Sequence, residues 1–258
     1  MGTKKQTKKY TFSVEGETEK WYFAWLEKEI NKNDNSEFNI KISADVQQDP
    51  YKYAKKINPL VSPKVVHICD IEGKEDCDIK KFEGILENLK KARNLYSKKF
   101  QYELGYSNFT FELWIILHKQ QCSGPCSNRN QYLPLINKIF GEHFKSLNEY
   151  KEKENFNRCL SKLSLDNVKE AIARAKQIMT NNKNNNLTEK EYKVFKYYPD
   201  NPSLTIYISI EKILKDCKLI WSHKYTVHCC NIWKSYIYAL HTEGSSYIYS
   251  YRFIERLI

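Results

Sequence analysis

Hydrophobic and polar positions alternate between two periods along the first half of the chain. Apolar positions at period two predict strands over residues 10–14, 38–43, 65–70 and 100–106. Apolar spacings of three and four predict helices over residues 19–30, 76–95 and 109–118, and a shorter helix from Asp49-Pro50 to residue 57. Strands that alternate with helices indicate a parallel sheet with right-handed crossovers. We therefore expect residues 9–118 to form an α/β core, a parallel sheet covered by helices on both faces.

The second half of the chain has mainly helical spacing. Helices are predicted over residues 131–140, from Ser164 or Asp166 to about residue 179, and over 204–214 after Asn201-Pro202-Ser203. The run NNKNNN at residues 181–186 predicts a polar loop. We expect residues 119–217 to be a helical extension of the core. Residues 218–258 are an atypical tail, rich in Trp, Tyr, His and Cys, to which the pattern assigns no role.

The charge balance favours a polyanionic partner. The chain has 42 Lys and Arg against 31 Asp and Glu, a net charge of +11, which indicates nucleic acid first and a lysine-rich solvated surface as the alternative. No apolar run reaches the roughly 18–20 residues of a membrane span, so we expect no membrane partner and a cytoplasmic location. The eight cysteines are irregularly spaced and predict reduced thiols. Cys122 and Cys126 have no second pair at zinc-finger spacing.

Acidic residues follow two of the predicted strands. Glu15 ends the first strand, and Asp70 and Glu72 follow the apolar run VVHIC. Because the carboxyl ends of parallel strands meet at one edge of a sheet, we expect these three carboxylates to converge there. Carboxylates without a histidine pair suit a hard cation such as Mg²⁺ or Mn²⁺, which can activate water and neutralise phosphate charge. The predicted metal ligands are Glu15, Asp70 and Glu72.

Other polar residues near these strand ends have two interpretations each. Glu112 lies in the helix after the fourth strand, where it either faces the same edge or is a first-turn acid favoured by the helix dipole. His118, at the end of an apolar helix, is expected to cap or pack rather than to act as a base. Asn108 is expected to cap that helix. Lys20 follows the acidic turn and is expected to be an exposed lysine rather than a phosphate contact.

Four blocks of sequence in a fixed order resemble the RloB family. The blocks are VEGETEKWYF, VVHICDIEGKED, SNFTFELWIILH and NPSLTIYISIEKIL. Genes of this family are often found beside restriction and phage-defence genes. Its core is regarded as a Toprim-like domain, the acidic metal-binding fold of topoisomerases, primases and certain nucleases. The resemblance covers residues 9–217, so the helical extension would complete the RloB-like domain, and it excludes the aromatic-rich tail.

The resemblance implies roles for individual residues. Glu15 matches the Toprim glutamate with acid/base or metal roles, and Asp70 and Glu72 match the acidic pair that holds the metal. The usual pair is Asp-x-Asp, so Glu72 is a departure that is one methylene longer and places its carboxylate differently. Phe109 and Thr110 stand where a proline is commoner after the asparagine.

The resemblance implies a nuclease of a prokaryotic defence system that depends on Mg²⁺ or Mn²⁺ and acts on DNA or RNA. Its catalytic residues would be Glu15, Asp70, Glu72 and Glu112. The chain lacks a Gly-x-x-x-x-Gly-Lys loop, so a separately encoded ATPase or defence protein is a candidate partner. The competing interpretation is a non-catalytic subunit that binds nucleic acid or senses a partner on a degenerate Toprim scaffold. Nucleotidyl transfer is a third possibility, which nothing in the sequence favours over hydrolysis.

Overall fold

The computed structural model describes residues 5–58, 60–61, 64–95 and 101–220. Its strands are β1 (Thr7–Val14), β2 (Asn39–Val46), β3 (Lys64–Asp70), β4 (Gln101–Asn108), β5 (Lys190–Tyr192), β6 (Phe195–Tyr197) and β7 (Ser203–Leu204). Its helices are α1 (Glu17–Lys32), α2 (Pro50–Ala54), α3 (Asp76–Asn94), α4 (Glu112–Leu117), α5 (Tyr132–Phe140), α6 (Leu147–Tyr150), α7 (Lys153–Leu160), α8 (Leu165–Asn184) and α9 (Ile206–Asp216). Predicted features at residue 100 and at residues 221–258 lie outside the described residues.

A five-stranded sheet in the order β2-β1-β3-β4-β7 forms the centre of the fold. Strands β1 to β4 are parallel to their neighbours, and β7 pairs with β4 in the antiparallel direction. Strands β5 and β6 form a separate hairpin. The predicted α/β class with a mostly parallel sheet is therefore confirmed.

Helices cover both faces of this sheet. In β3, Val66 and Ile68 join a core that also contains apolar residues of α1, α4, α5, α8 and α9. Val65 and Cys69, which alternate with them, join a second core with residues of α2, α3 and β6. Because a parallel sheet buries both faces, β3 is buried at every position from Val65 to Cys69.

Helix α1 packs on the sheet through the predicted apolar face. Its buried residues include Tyr22, Phe23, Leu26 and Ile30. The ring of Phe23 stacks on that of Phe12 in β1, with 4.1 Å between the ring centroids. This contact packs the second turn of α1 against β1.

The segment after β4 differs from its prediction. Asn108 does not cap a helix, because β4 continues through it and pairs with Ser203 of β7. The Asn108 side chain instead donates a hydrogen bond of 2.7 Å to the Pro199 carbonyl. Helix α4 consequently begins at Glu112 rather than at residue 109, and α9 begins at Ile206 rather than at residue 204.

The predicted polar loop at residues 181–186 is wrong for its first four positions. Helix α8 continues through Asn184, and its Asn182 is buried. The Asn182 amide donates a hydrogen bond of 2.9 Å to the Pro202 carbonyl, a tertiary contact that extends the helix beyond its local preference. Helices α6 and α7 and the β5–β6 hairpin were not predicted. None of the described helices is long and apolar enough to cross a membrane.

His118 is a buried packing residue at the end of α4, as predicted. Its Nδ1–H lies 2.9 Å from the Trp114 carbonyl, and its Nε2 lies 3.1 Å from the Tyr22 hydroxyl, which donates to it. The neutral ring therefore has both nitrogens satisfied. Burial lowers the pKa of His118 to about 4.

We expect His118 to make stability dependent on pH. The unfolded imidazole, with its ordinary pKa of 6.5, takes up a proton before the folded one does, so the contribution of the neutral ring is complete above that value. This contribution should be lost as the pH falls towards about 4. Urea unfolding of the wild type and of His118→Gln should show a free-energy difference that shrinks as the solution is acidified. The exposed His143→Gln is the control, and a difference independent of pH would contradict the assignment.

Candidate functional site

A cleft of about 290 Å³ opens where β1 and β3 end. Its acidic lining residues are Glu15, Glu17, Glu19, Asp70 and Glu72. Thr18, Thr110, Arg129 and Lys151 complete the polar part of its wall. The cleft thus lies at the carboxyl edge of the parallel sheet, the edge at which open α/β sheets bind their ligands.

The register of β1 and β3 brings the first two predicted residues together. Val14 lies opposite Ile68, so Glu15 emerges beside the last residues of β3. The Oε2 atom of Glu15 accepts a hydrogen bond of 3.1 Å from the backbone N–H of Asp70. Gly16 follows, where an added Cβ would lie 3.0 Å from Oε2 of Glu19. The glycine therefore permits a close approach of α1 to the cluster.

Glu19 is a member of this cluster that the sequence analysis missed. Its side chain is 5% exposed and accepts a hydrogen bond of 3.0 Å from the Thr18 hydroxyl. Burial, and after it the charge of Glu112, raises the pKa of Glu19. The signal was present in the sequence, because Glu19 lies three residues before Tyr22 and seven before Leu26, on the apolar face of α1.

Glu112, at the start of α4, does not line the cleft but lies close enough for its charge to raise the pKa of Glu19 and of Asp70. It is 1% exposed, and the Lys151 ammonium lies 3.1 Å from its Oε1 atom. This pair is close enough for an ion pair but poorly aligned, and no described donor makes a well-aligned hydrogen bond to either carboxylate oxygen. The Thr110 hydroxyl is also buried without a partner among the described residues. Lys151 follows α6, and nothing in its local sequence indicated this position.

The cluster holds more negative charge than the nearby cations balance. Burial raises the pKa of Glu15 to about 7, and the charges of Glu19 and Glu72 add to this against the Asp70 N–H and Lys81. Burial also raises the pKa of Asp70 well above its usual range, with Glu15 as the next cause and Lys151 as the opposing one. Acids in such surroundings keep their protons or gain a cation.

Glu72 lies at the rim of the cleft in a different backbone conformation. Strand β3 ends at Asp70, and Glu72 has a φ of 65°, so the alternation that would align the two side chains does not extend to it. Its carboxylate forms a close ion pair with Lys81, and Arg129 lies 3.9 Å from its Oε1 atom. Glu72 and Arg129 also line a neighbouring cleft of about 760 Å³.

The remaining predicted residues lie outside the cluster. Lys20 is exposed and forms an ion pair of 3.4 Å with Glu17 on the same helix. Trp114 is fully buried in the core. Cys122 is buried and Cys126 is partly buried, both as free thiols.

The donor chemistry of the cluster fits a hard divalent cation. The charges of Glu15 and Glu112 both act on Asp70, and carboxylate oxygens are ligands that suit Mg²⁺ or Mn²⁺. Their present placement is not a finished coordination shell, because no three His, Cys, Asp or Glu side chains among the described residues are positioned to hold a metal ion.

The Lys151–Glu112 pair gives a testable prediction on stability. Lys151→Met leaves the buried Glu112 carboxylate without its cation, which should lower the free energy of unfolding by roughly 1–3 kcal/mol. Lys151→Met combined with Glu112→Gln should recover part of this loss, because the uncompensated charge is gone. Urea unfolding of the four proteins of this cycle measures the coupling. Additive effects would show that the ion pair does not stabilise the site.

Comparisons with known proteins give one result. No curated protein and no solved structure matches the chain. The sequence model of the family described as RloB-like protein matches residues 10–213. The matched range begins within β1 and ends within α9, so it includes the whole acidic cluster and the sheet that positions it. The chain therefore belongs to the RloB-like protein family.

Proposed function

We propose that this protein is a metal-dependent nuclease with a Toprim-like core that hydrolyses phosphodiester bonds of DNA or RNA in prokaryotic defence. The observation that carries the proposal is the buried carboxylate cluster at the carboxyl edge of a parallel sheet, with too few cations to balance it. The net charge of +11 supports a polyanionic substrate.

In this proposal the acids hold Mg²⁺ or Mn²⁺ and handle protons. A bound divalent ion supplies neutralisation of phosphate charge and a more acidic bound water. Asp70, Glu15 and Glu112 are the residues that would hold it, with Glu72 at the rim. Glu15 would either complete this ligand set or accept a proton from the attacking water.

The cations at the cleft wall have a separate task in the proposal. The water oxygen forms a bond to phosphorus while the bond from phosphorus to the leaving oxygen breaks. Arg129 and Lys151, which both line the cleft, would contact the phosphate oxygens as negative charge grows on them. The leaving oxygen then takes a proton from solvent.

A second candidate function is a non-catalytic subunit that binds nucleic acid or senses a partner, such as a separately encoded ATPase. The observation in its favour is the pairing of Glu72 with Lys81 and Arg129, which already occupies a carboxylate that the nuclease would use. The two candidates differ in whether the cluster binds a divalent cation and cleaves.

Cation binding is testable without any substrate. If MnCl₂ or MgCl₂ binds the folded protein, a concentration of 100 times Kd adds about 2.7 kcal/mol of stability. For a chain of this size that corresponds to a rise of roughly 5–10 °C in Tm. Asp70→Asn should abolish most of the rise, because it removes a carboxylate of the cluster. Differential scanning calorimetry with and without each ion measures the effect.

Asp76→Asn is the matched control for this experiment. Asp76 is an exposed acid at the start of α3, also near the end of β3, but it does not line the acidic cleft. The Tm of the Asp76→Asn variant should rise with the ions as much as that of the wild type. Equal responses of the wild type and Asp70→Asn would place any bound cation elsewhere.

Cleavage is tested on plasmid DNA, single-stranded DNA and total RNA with Mn²⁺ and then Mg²⁺. We expect the wild type to cut one of these substrates, and Glu15→Gln and Asp70→Asn to be slower by roughly 10²–10⁴-fold. Asp76→Asn should retain the wild-type rate. Circular dichroism of each variant verifies folding.

The outcomes separate the two candidate functions. Cleavage that is lost in both cluster variants supports the nuclease and identifies its substrate class. A wild type that binds the nucleic acid but cuts none of the panel with either ion would favour the non-catalytic subunit. Cleavage that survives both changes would place the reaction outside the cluster and refute the mechanism.

A further inference from the structure

A further depression, the α1–α7 groove, is lined by residues of α1 and of α7. It is a groove of about 730 Å³ between α1 and the segment from α7 to residue 163. Two indoles and three lysines provide its chemically distinctive lining: Trp21, Trp25, Lys28, Lys32 and Lys153. Neither the acidic cluster nor the proposed reaction uses these side chains.

The two tryptophans of the groove are held in place and remain accessible. They are four residues apart on α1, so they lie on one face about 6 Å apart along the helix axis. Trp21 packs near Phe156, with 6.1 Å between ring centroids, and Trp25 packs near Tyr22 at 5.4 Å. Both indoles are only partly buried. Aromatic rings fixed in this way form a platform on which flat ligands stack.

The groove carries net positive charge. Lys28 and Lys153 are exposed and form no ion pair within the part of the chain that the structure describes. Lys32 pairs with Glu29 at 3.2 Å, and Glu29 is the acidic residue of the lining. Two lysines therefore remain available for an anion beside the aromatic platform.

Lining residues of the groove and of the acidic cleft lie near one another along the chain. Glu17 lines the cleft, and Trp21, one helical turn further along α1, lines the groove. On the opposite wall Lys151 lines the cleft and Lys153 lines the groove. A chain that occupies the groove would therefore lead towards the carboxylates.

We propose that the α1–α7 groove binds a single strand of nucleic acid, with bases stacked on Trp21 and Trp25 and phosphates near Lys28 and Lys153. Stacking on an indole requires an unpaired base, whereas a duplex hides its base faces, so the occupant is single-stranded. The direction of the strand towards the cleft rests on the proposed nuclease function. Binding of the strand in the groove does not rest on that function.

The experiment measures fluorescence anisotropy of a fluorescein-labelled oligothymidylate of about 12 nucleotides, a length within the usual site sizes of such grooves. EDTA is present, so cleavage does not interfere. Trp21→Leu with Trp25→Leu should weaken binding by tenfold or more, whereas the corresponding Phe variants, which keep an aromatic face, should bind nearly as the wild type. Circular dichroism verifies that the Leu and the Phe variants are folded.

The lysines are tested through the dependence of binding on salt. Each of Lys28→Gln and Lys153→Gln should reduce the slope of log K against log salt concentration by about 0.7. Lys52→Gln, an exposed lysine of α2 on the other face of the sheet, should leave the slope unchanged. An unlabelled duplex of the same length should compete more weakly than the unlabelled strand.

Three results would overturn the inference: no oligonucleotide binding by the wild type, wild-type affinity in the Leu variants, or equal competition by duplex. If any of these results is obtained while cleavage still depends on Asp70, the groove proposal is refuted and the nuclease proposal stands. The opposite case is oligonucleotide binding that depends on the groove residues, with no cleavage or with cleavage insensitive to Asp70→Asn. That result refutes the nuclease proposal, and the groove proposal stands.

Discussion

The parallel pairing of β1 with β3 is the constraint on which the site depends. With Val14 opposite Ile68, β3 continues two residues beyond the end of β1, and Glu15 accepts a hydrogen bond from the Asp70 N–H. The turn at Gly16 then starts α1 directly over this edge, and its first turn directs Glu19 inwards. The strand register and the start of α1 thus bring the carboxylates of Glu15, Glu19 and Asp70 to one edge of the sheet.

Packing converts this edge from a solvated surface into a site with unusual electrostatics. Helix α4, every residue of which is buried, carries Glu112 into the cluster, and the segment after α6 provides Lys151 as its cation. Desolvation raises the pKa of Glu15 and of Asp70, and the neighbouring carboxylates add to this rise, which Lys81 opposes at Glu15 and Lys151 opposes at Asp70. The site is therefore assembled by residues from both halves of the chain.

The distribution of charge gives the proposed function a physical logic. A chain with a net charge of +11 attracts polyanions, but its acidic cleft repels them at close range. A divalent cation would remove this repulsion at one point, so the site would accept a phosphate only when the cation is present. The α1–α7 groove, with its indoles and lysines, offers an approach in which an unpaired strand is held beside that point rather than on it.

The sequence by itself determined the parallel α/β core, the apolar face of α1 and the acids at the strand ends, because all of these follow from local periodicity. The sequence pattern could also have identified Glu19, because it is a charged residue on the apolar face of α1. Only the tertiary structure decided the pairing of β4 with β7, the extra turn of α8 that Asn182 anchors, and the approach of Lys151 to Glu112. Each of these joins residues distant along the chain, and local patterns carry no information on which distant groups will meet.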